Sequence, residues 1–182
     1  MSVEFGIVRL LAVEKLEPFA EQLYKSMSFD GNKDIALEFP DSFTAYSSSY
    51  ESALARLRSV YAACQSRKRE QVLALAGHEV VGISMLAKST TTPPEIHPDI
   101  PNLGGFVFSQ WRNKGVATLM WSECLRIADE NHGGYAWTSV IDENHASKAA
   151  VIKAGFRDIN RYHSLNGARR RIYRYNERRD RA

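Results

Sequence analysis

The chain has 182 residues, of which 44% are hydrophobic and 25% charged, and its formal net charge is +3. These values are typical of an ordinary globular domain with a sizeable core, so we expect residues 1–182 to form a single domain. No stretch approaches the roughly 20 consecutive apolar residues of a membrane-spanning helix, which argues against a membrane protein.

The sequence also argues against a secretory signal and a metal site. Arg9 interrupts the apolar run near the N-terminus, unlike the core of a signal peptide. Cys64 and Cys124 stand far apart and outside any Cys and His spacing that is typical of zinc sites. We therefore expect no metal, no disulfide framework and a cytoplasmic location.

The first part of the chain predicts one strand and two helices with an irregular segment between them. Phe5 to Ala12 has strand character, and Glu14 to Met27 carries apolar side chains at helical spacing. Periodicity is lost over residues 28–49, where several aromatic side chains favour a loop or short helices lying over a site. Helical spacing returns from Tyr50 to Gln65.

The middle of the chain predicts a hairpin, a third strand and a long helix. Gln71 to Ala76 and Val80 to Leu86 are strand-like and separated by a short turn. A proline-rich approach over residues 88–101 leads to the strand Leu103 to Phe108. The helix that follows begins at about Gly115 and is ended near residue 131 by two glycines.

The last part of the chain predicts a strand, a short helix and a second hairpin. The strand is Tyr135 to Ile141, the helix runs from Ala146 to Ala154, and Asn166-Gly167 is typical of a hairpin turn. Helices thus alternate with strands that must lie side by side, which predicts an α/β fold of the α+β type with a mixed sheet.

The long helix begins in an unusual way, because Arg112 and Lys114 add positive charge to a terminus whose dipole is already positive. A strand-to-helix turn over residues 109–114 would gather backbone N–H groups of residues 113–118 at this point. Gly115 would let a bulky anion approach them. A diphosphate fits this arrangement, although neither a P-loop nor a dinucleotide-binding glycine pattern is present.

A second motif lies at residues 142–156, DENHASKAAVIKAGF, between a strand and the end of a short helix. With Arg112-x-x-Gly115-x-Ala117, it makes the sequence similar to the GNAT superfamily of acyl-CoA-dependent N-acyltransferases. The resemblance rests further on Asn144-x-x-Ser147 and Lys153-x-Gly155-Phe156, and it covers about residues 70–160 well.

The resemblance implies a central, mostly antiparallel sheet of about seven strands flanked by about four helices. The strands near residues 103–108 and 135–141 would splay into a V-shaped cleft, with a bulge expected at Gly104-Gly105. The aromatic side chains of residues 28–50 would line the acceptor end of this cleft.

The resemblance also implies that the cleft holds acetyl-CoA. The strand backbone would pair with the pantetheine arm, the N–H groups of residues 113–118 would bind the pyrophosphate, and Asn144 would bond beside the pantetheine. A helix-capping role alone is the other reading of Asn144. The residues expected to contact the cofactor are Phe106, Val107, Phe108, Arg112, Asn113, Lys114, Gly115, Val116, Ala117, Thr118, Asn144, Ser147 and Lys153.

Two positions depart from the family pattern and leave the acid and base open. Val151 stands where many relatives carry a tyrosine that protonates the leaving thiolate, and Ser139 stands where others carry a glutamate. His97 is a candidate base, with Glu95 and Asp99 beside it in the sequence. The backbone N–H of Val107 is the candidate oxyanion donor. Further candidates are Ser147, Tyr162 and His163.

The leading hypothesis is transfer of the acetyl group to a primary amine of a small molecule or peptide by direct attack in a ternary complex. Cys124 is predicted on the apolar side of a helix, which disfavours a covalent acyl-enzyme. The departures at Val151 and Ser139 keep a second hypothesis open, a non-catalytic acyl-CoA-binding sensor or interaction domain.

The C-terminal region suggests two further partners. Residues 157–182 hold nine arginines against three carboxylates, a net +6 that leaves −3 for the remaining residues. A tRNA-linked amine is therefore considered, beside the alternative of a solvated basic surface. A homodimer paired through an exposed last strand is also considered.

Overall fold

The computed structural model describes residues 4–89 and 91–176. In this part of the chain, seven strands form one sheet in the order β1-β2-β3-β4-β5-β7-β6. The strands are β1 Phe5–Arg9, β2 Arg69–Ala76, β3 Glu79–Ala87, β4 Asn102–Val107, β5 Ala136–Ile141, β6 Arg157–Leu165 and β7 Ala168–Tyr175. The α-helices are α1 Glu17–Met27, α2 Ile35–Glu38, α3 Pro40–Ser47, α4 Tyr50–Gln65, α5 Val116–Asn131 and α6 His145–Lys153.

The predicted fold class is confirmed, with adjustments in the first third of the chain. β1 ends at Arg9, and Leu10–Ala12 form a 3₁₀ turn instead of continuing the strand. α1 begins at Glu17 rather than residue 14, with a proline in its first turn, where a missing N–H costs nothing. The irregular segment 28–49 contains the two short helices α2 and α3.

Both faces of the sheet are covered, because alternate strand residues point to opposite sides. Val72 and Ala74 of β2 pack with α5 in one cluster of buried residues. Leu73, between them, packs with α1, α3 and α4 in a second cluster on the other face. This part of the sheet is therefore the middle layer between two helical layers, and β2 and β3 are buried along most of their length.

The strands β4 and β5 separate to open the cleft, as expected. All other neighbouring strands are antiparallel and paired over several residues, whereas β4 and β5 are parallel and pair only at Asn102 and Trp137. The Trp137 N–H also donates to the Pro101 carbonyl at 3.0 Å. Beyond this point the backbone of β4 has no strand partner on its β5 side.

The bulge predicted at Gly104-Gly105 is wrong, because β4 pairs with β3 without a register shift from residue 102 to residue 107. Gly105 has a different role. A Cβ atom there would lie 2.5 Å from the Ile83 carbonyl oxygen and 2.8 Å from the Ser84 Cα, so only glycine lets the two strands approach.

The last strand is not at the edge of the sheet, contrary to the expectation of an exposed last strand. β7 lies between β5 and β6, and Ile172 at its middle is fully buried. The edge strands in the described residues are β1 and β6. A homodimer formed through strand pairing would thus use one of these two strands.

Candidate functional site

A cleft of about 530 Å³ opens where β4 and β5 separate, between α2, α5 and α6. Most of the predicted cofactor-binding residues line it: Phe106, Val107, Arg112, Asn113, Gly115, Val116, Ala117, Thr118, Asn144, Ser147 and Lys153. Phe108 and Lys114 do not. The Phe108 side chain is fully buried under the first helical layer and its N–H donates to the Val81 carbonyl, while the expected backbone contact with the pantetheine arm stays a prediction.

The start of α5 forms one wall of this cleft and offers a row of free backbone donors. Gly115 has φ +82° and Asn113 has φ +61°, so two left-handed residues turn the loop into the helix. Within the described part of the chain, the N–H groups of residues 113–118 have no backbone acceptor. Apart from its two chain neighbours, none of the described residues has an atom within 4 Å of where a Cβ of Gly115 would be. This arrangement suits an anion with several oxygen atoms.

Both cationic side chains of this loop, Arg112 and Lys114, have partners within the protein. The Arg112 guanidinium pairs with Asp34 at 2.7 Å, and its Nε donates to the Val107 carbonyl at 3.0 Å. Lys114 Nζ lies 4.6 Å from the centre of the Trp111 ring. Arg112 thus fastens the segment before α2 to β4, a role that the sequence analysis did not foresee.

The hydrogen bonds of β4 direct its free donors into the cleft. The Phe108 N–H donates to the Val81 carbonyl at 3.0 Å, and bonds to β3 alternate along an antiparallel pair. The N–H groups of Val107 and Gly105 therefore point away from β3 towards the gap beside β5. The Val107 N–H, predicted as the oxyanion donor, faces the side that this role requires.

Asn144 has the capping role and also faces the cleft. Its Oδ1 accepts the Ser147 N–H at 3.0 Å, which satisfies one of the free donors at the start of α6. Its Nδ2 donates to Glu38 Oε1 at 3.3 Å. The two readings of Asn144 are therefore compatible in this structure.

A second cleft of about 190 Å³ lies at the far end of the gap between β4 and β5. It is lined by residues of α2, β3, β4, β5 and β7, and Glu38 and Arg170 are its charged side chains. Arg170 donates through Nε to the Ser139 hydroxyl at 3.1 Å and lies 3.4 Å from Glu38 Oε2. Several residues line both clefts, so the two meet within the gap, and we refer to them together as the passage.

Sequence reasoning missed Glu38 and Arg170. Glu38 belongs to no motif, and its position in an aperiodic segment between Leu37 and Phe39 is the only hint that the sequence offers. Arg170 is one of three consecutive arginines, and only the register of β7 selects it for the cleft. Ser139, noted as a replaced glutamate, instead orients Arg170.

The structure does not bring His97 to either cleft. Half of its side chain is exposed, and its Nδ1 accepts the Asp99 N–H at 3.3 Å in the loop before β4. Tyr162 and His163 lie on the edge strand β6, and burial lowers the pKa of His163. These three side chains line neither cleft, so they are not placed to take a proton from an amine bound there.

Two further predictions about the chemistry agree with the geometry. Val151 is fully buried in the core, so no hydroxyl is supplied from its position. Cys124 is fully buried and donates to the Ser84 hydroxyl at 3.4 Å. Burial raises the pKa of this thiol to about 12, which keeps it protonated and unable to act as a nucleophile.

The aromatic segment contributes less to the clefts than expected. Phe39 lines both clefts, whereas Tyr46 is buried in the core and Phe29 is exposed on the surface. The ring of Phe39 lies 5.5 Å from the ring of Phe106. The smaller cleft is therefore lined by one aromatic residue of this segment, together with Met85, Leu103 and Leu165.

Most arginines in the described C-terminal region form ion pairs, hydrogen bonds or ring contacts within the protein. Arg171 pairs with Asp158 at 3.0 Å, Arg174 donates to the Glu95 carbonyl, and Arg169 stacks 3.9 Å above the ring of Tyr162. Arg178 and Arg179, also considered for tRNA contact, lie outside the described residues. In the same described part of the chain, no helix is long and apolar enough to span a bilayer.

Comparison with known structures supports the fold. The ribosomal-protein-S5-alanine acetyltransferase from Vibrio fischeri is similar with a TM-score of 0.69 and 13% identity, covering 96% of this chain and 94% of that one. An acetyltransferase from Salmonella typhimurium, which modifies the N-terminal serine of ribosomal protein L7/L12, gives 0.65 and 16%, with 95% of both chains covered. The microcin C7 self-immunity acetyltransferase, solved with acetyl-CoA and AMP, gives 0.65 and 15%, with 87% of both covered.

Sequence comparison gives the family. No curated protein matches this sequence significantly. A family model described as the acetyltransferase (GNAT) domain matches residues 10–157, which is most of the chain and includes the cleft and both motifs. The chain belongs to the GNAT acetyltransferase family.

Proposed function

We propose that this acetyltransferase moves the acetyl group of acetyl-CoA to a primary amine of a small molecule or peptide by direct attack in a ternary complex. The observation that carries the donor assignment is the row of N–H groups at residues 113–118, which lacks backbone acceptors and lies at the mouth of the larger cleft. These donors suit the pyrophosphate of coenzyme A. The free backbone of β4 suits the amide groups of its pantetheine arm.

The geometry also supports direct attack. The thioester would lie near Gly105 and Val107, whose N–H groups point into the gap, so the Val107 N–H is available to the oxyanion. The buried, protonated thiol of Cys124 supplies no covalent intermediate. An amine that enters through the smaller cleft would reach the thioester where the two clefts meet.

Gly115→Glu tests the donor site. The new carboxylate would stand at the mouth of the N–H row, so we expect the affinity for acetyl-CoA to fall at least about 100-fold, equivalent to about 2.8 kcal/mol. Isothermal titration calorimetry measures this change. Gly77→Glu is the matched control, because Gly77 also has a positive φ and open space around it but lies in the β2–β3 turn. Equal affinities of the two variants would contradict the assignment.

A non-catalytic acyl-CoA sensor is the second candidate. It is favoured by the buried Val151 and by Ser139, which remove two proton-handling groups that many relatives carry. Thiol release from acetyl-CoA with a panel of amines separates the candidates. Tight binding without thiol release would favour the sensor.

We also propose that the protein acts in the cytoplasm. Cys64 and Cys124 are both free and buried, which suits a reducing compartment. Detection of the tagged protein in the cytoplasmic fraction of the producing cell, rather than in a secreted fraction, is the expected result.

A further inference from the structure

The point where the two clefts meet fixes the place at which acyl transfer must occur. A small set of residues lines both: Glu38, Phe39, Gly105, Trp121 and Ser147. The larger cleft ends here after passing the N–H row of α5 and the free edge of β4. The smaller cleft begins here and leads away towards the β6–β7 turn. An acyl donor in the first and an amine in the second would touch at this junction.

Glu38 is the one carboxylate among the residues that line the junction. About 25% of its side chain is exposed, and it reaches from α2 to two residues on the β5 side of the gap. Its Oε1 accepts from Asn144 of the β5–α6 side at 3.3 Å, and its Oε2 lies 3.4 Å from Arg170 of β7. Both contacts are longer than a strong charge-assisted hydrogen bond. The carboxylate oxygens can therefore form a shorter hydrogen bond to the ammonium group of a ligand.

Arg170, in contrast, is held firmly. Its Nε and one terminal nitrogen donate to the hydroxyl and the carbonyl of Ser139 at 3.1 and 3.0 Å, and only 11% of its side chain is exposed. It balances the charge of Glu38 without filling the passage. Asn144 is fixed in the same way, by its capping bond to Ser147.

We infer that Glu38 binds the ammonium group of the acceptor and takes its proton, with Asn144 and Arg170 as positioning residues that hold the carboxylate in place. This inference rests on the proposed acetyltransferase function. It supplies the base that neither His97 nor the position of Ser139 provides.

The proton balance is simple. An alkylamine arrives as an ammonium ion, as the lysine pKa of about 10.4 illustrates. Glu38 takes one N–H proton, and the freed lone pair forms the C–N bond with the thioester carbon. Collapse of the adduct breaks the C–S bond, whose electron pair goes to sulfur. A second N–H proton passes to that thiolate, giving the amide and free CoA thiol, and Glu38 returns its proton to water.

The lining of the smaller cleft indicates the acceptor class. Around Glu38 lie Phe39, Met85, Leu103 and Leu165, which suit an aliphatic stem. The fixed cation of Arg170 disfavours a second positive charge next to the reacting nitrogen. The geometry therefore favours a primary ammonium on an aliphatic chain over an aromatic amine or an amino group flanked by further cations.

Glu38→Gln tests the inference, because it removes the charge and keeps the size of the side chain. With butylamine, which is protonated at neutral pH, we expect kcat/KM to fall at least about 100-fold. With hydroxylamine, which is neutral at the same pH and needs no proton acceptor before attack, we expect a loss of less than about fivefold. The affinity for acetyl-CoA, measured by calorimetry, is expected to stay within about twofold of the wild-type value.

Glu143→Gln is the matched control. Glu143 is an exposed carboxylate beside Asn144 in the sequence and lines neither cleft, so this variant is expected to behave as the wild type. Equal losses of Glu38→Gln with butylamine and hydroxylamine, or no loss with butylamine, would overturn the inference. A wild-type protein that binds acetyl-CoA but acetylates neither amine would instead refute the proposed catalysis, and the inference with it.

Discussion

Asn32 joins two segments that meet beside the larger cleft. It is fully buried, its Oδ1 accepts the Ser109 N–H at 2.7 Å, and its Nδ2 donates to the Ser26 carbonyl at 2.7 Å. Each of these backbone groups would lose its partner if the side chain were removed. Buried polar groups left without a partner cost about 1–3 kcal/mol each.

Asn32→Ala is therefore expected to lower the free energy of unfolding by about 3 kcal/mol, measured by urea denaturation. Asn131→Ala is the control, because Asn131 is exposed at the end of α5. A difference of less than about 0.5 kcal/mol between the two variants would mean that the Asn32 bonds contribute little to stability.

At the scale of single residues, the sequence identified the positions around the cleft better than their partners. Arg112 was found because it breaks the usual charge pattern of a helix start. Its partner Asp34 lies 78 positions away, and spacing along the chain carries no information about such a pair. Glu38 was not predicted for the same reason, because its partners are Arg170 on β7 and Asn144 at the start of α6.

Charged side chains tie strand β1 to helix α5. Arg9 donates to Glu123 at 2.7 Å and to Glu130 at 2.9 Å, and Arg126 donates to Glu123 from the next turn of the helix. The hydrogen bonds from Arg126, and then those from Arg9, hold the pKa of Glu123 below its ordinary value of 4.5. A lowered folded-state pKa means that this carboxylate stabilises the protein above that ordinary value. The stabilisation is lost as the pH falls through the folded-state pKa.

Glu123→Gln is expected to lower the free energy of unfolding by about 1 kcal/mol at neutral pH, since the group is only partly shielded from solvent. The difference from the wild type should shrink as the pH falls below 4.5 and through the lowered folded-state pKa. Thermal or urea unfolding at several pH values checks this, with the exposed Glu14→Gln as control. A difference that does not change with pH would show that the carboxylate charge is not responsible.

At the scale of elements, periodicity predicted most helices and strands, and α4 has the predicted bounds, Tyr50–Gln65. Long amphipathic segments are predictable because one repeated pattern specifies each of them. The short helices α2 and α3 have too few turns for such a pattern. The position of β7 inside the sheet was not predicted, because the order of strands depends on how the chain crosses the sheet rather than on local sequence.

At the scale of the whole molecule, the passage follows from one topological feature. β4 and β5 are the only parallel neighbours in the described sheet, and they touch at one end. The N–H row of α5 opens on the larger cleft, Arg170 lines the smaller one, and Glu38 lies where the two meet. The resemblance to a family predicted the gap and the donor side. The acceptor side depends on contacts between α2, β5 and β7, which no motif records.

The most direct test of acetyl transfer through this passage is a stoichiometric assay on the wild-type protein. Acetyl-CoA is incubated with butylamine, and released CoA thiol and acetylated amine are measured together. We expect both to rise at the same rate, and only when protein, acetyl-CoA and amine are all present. Acetyl-CoA that binds to the protein while a broad panel of primary amines gives neither thiol nor acetylated product would contradict the central claim.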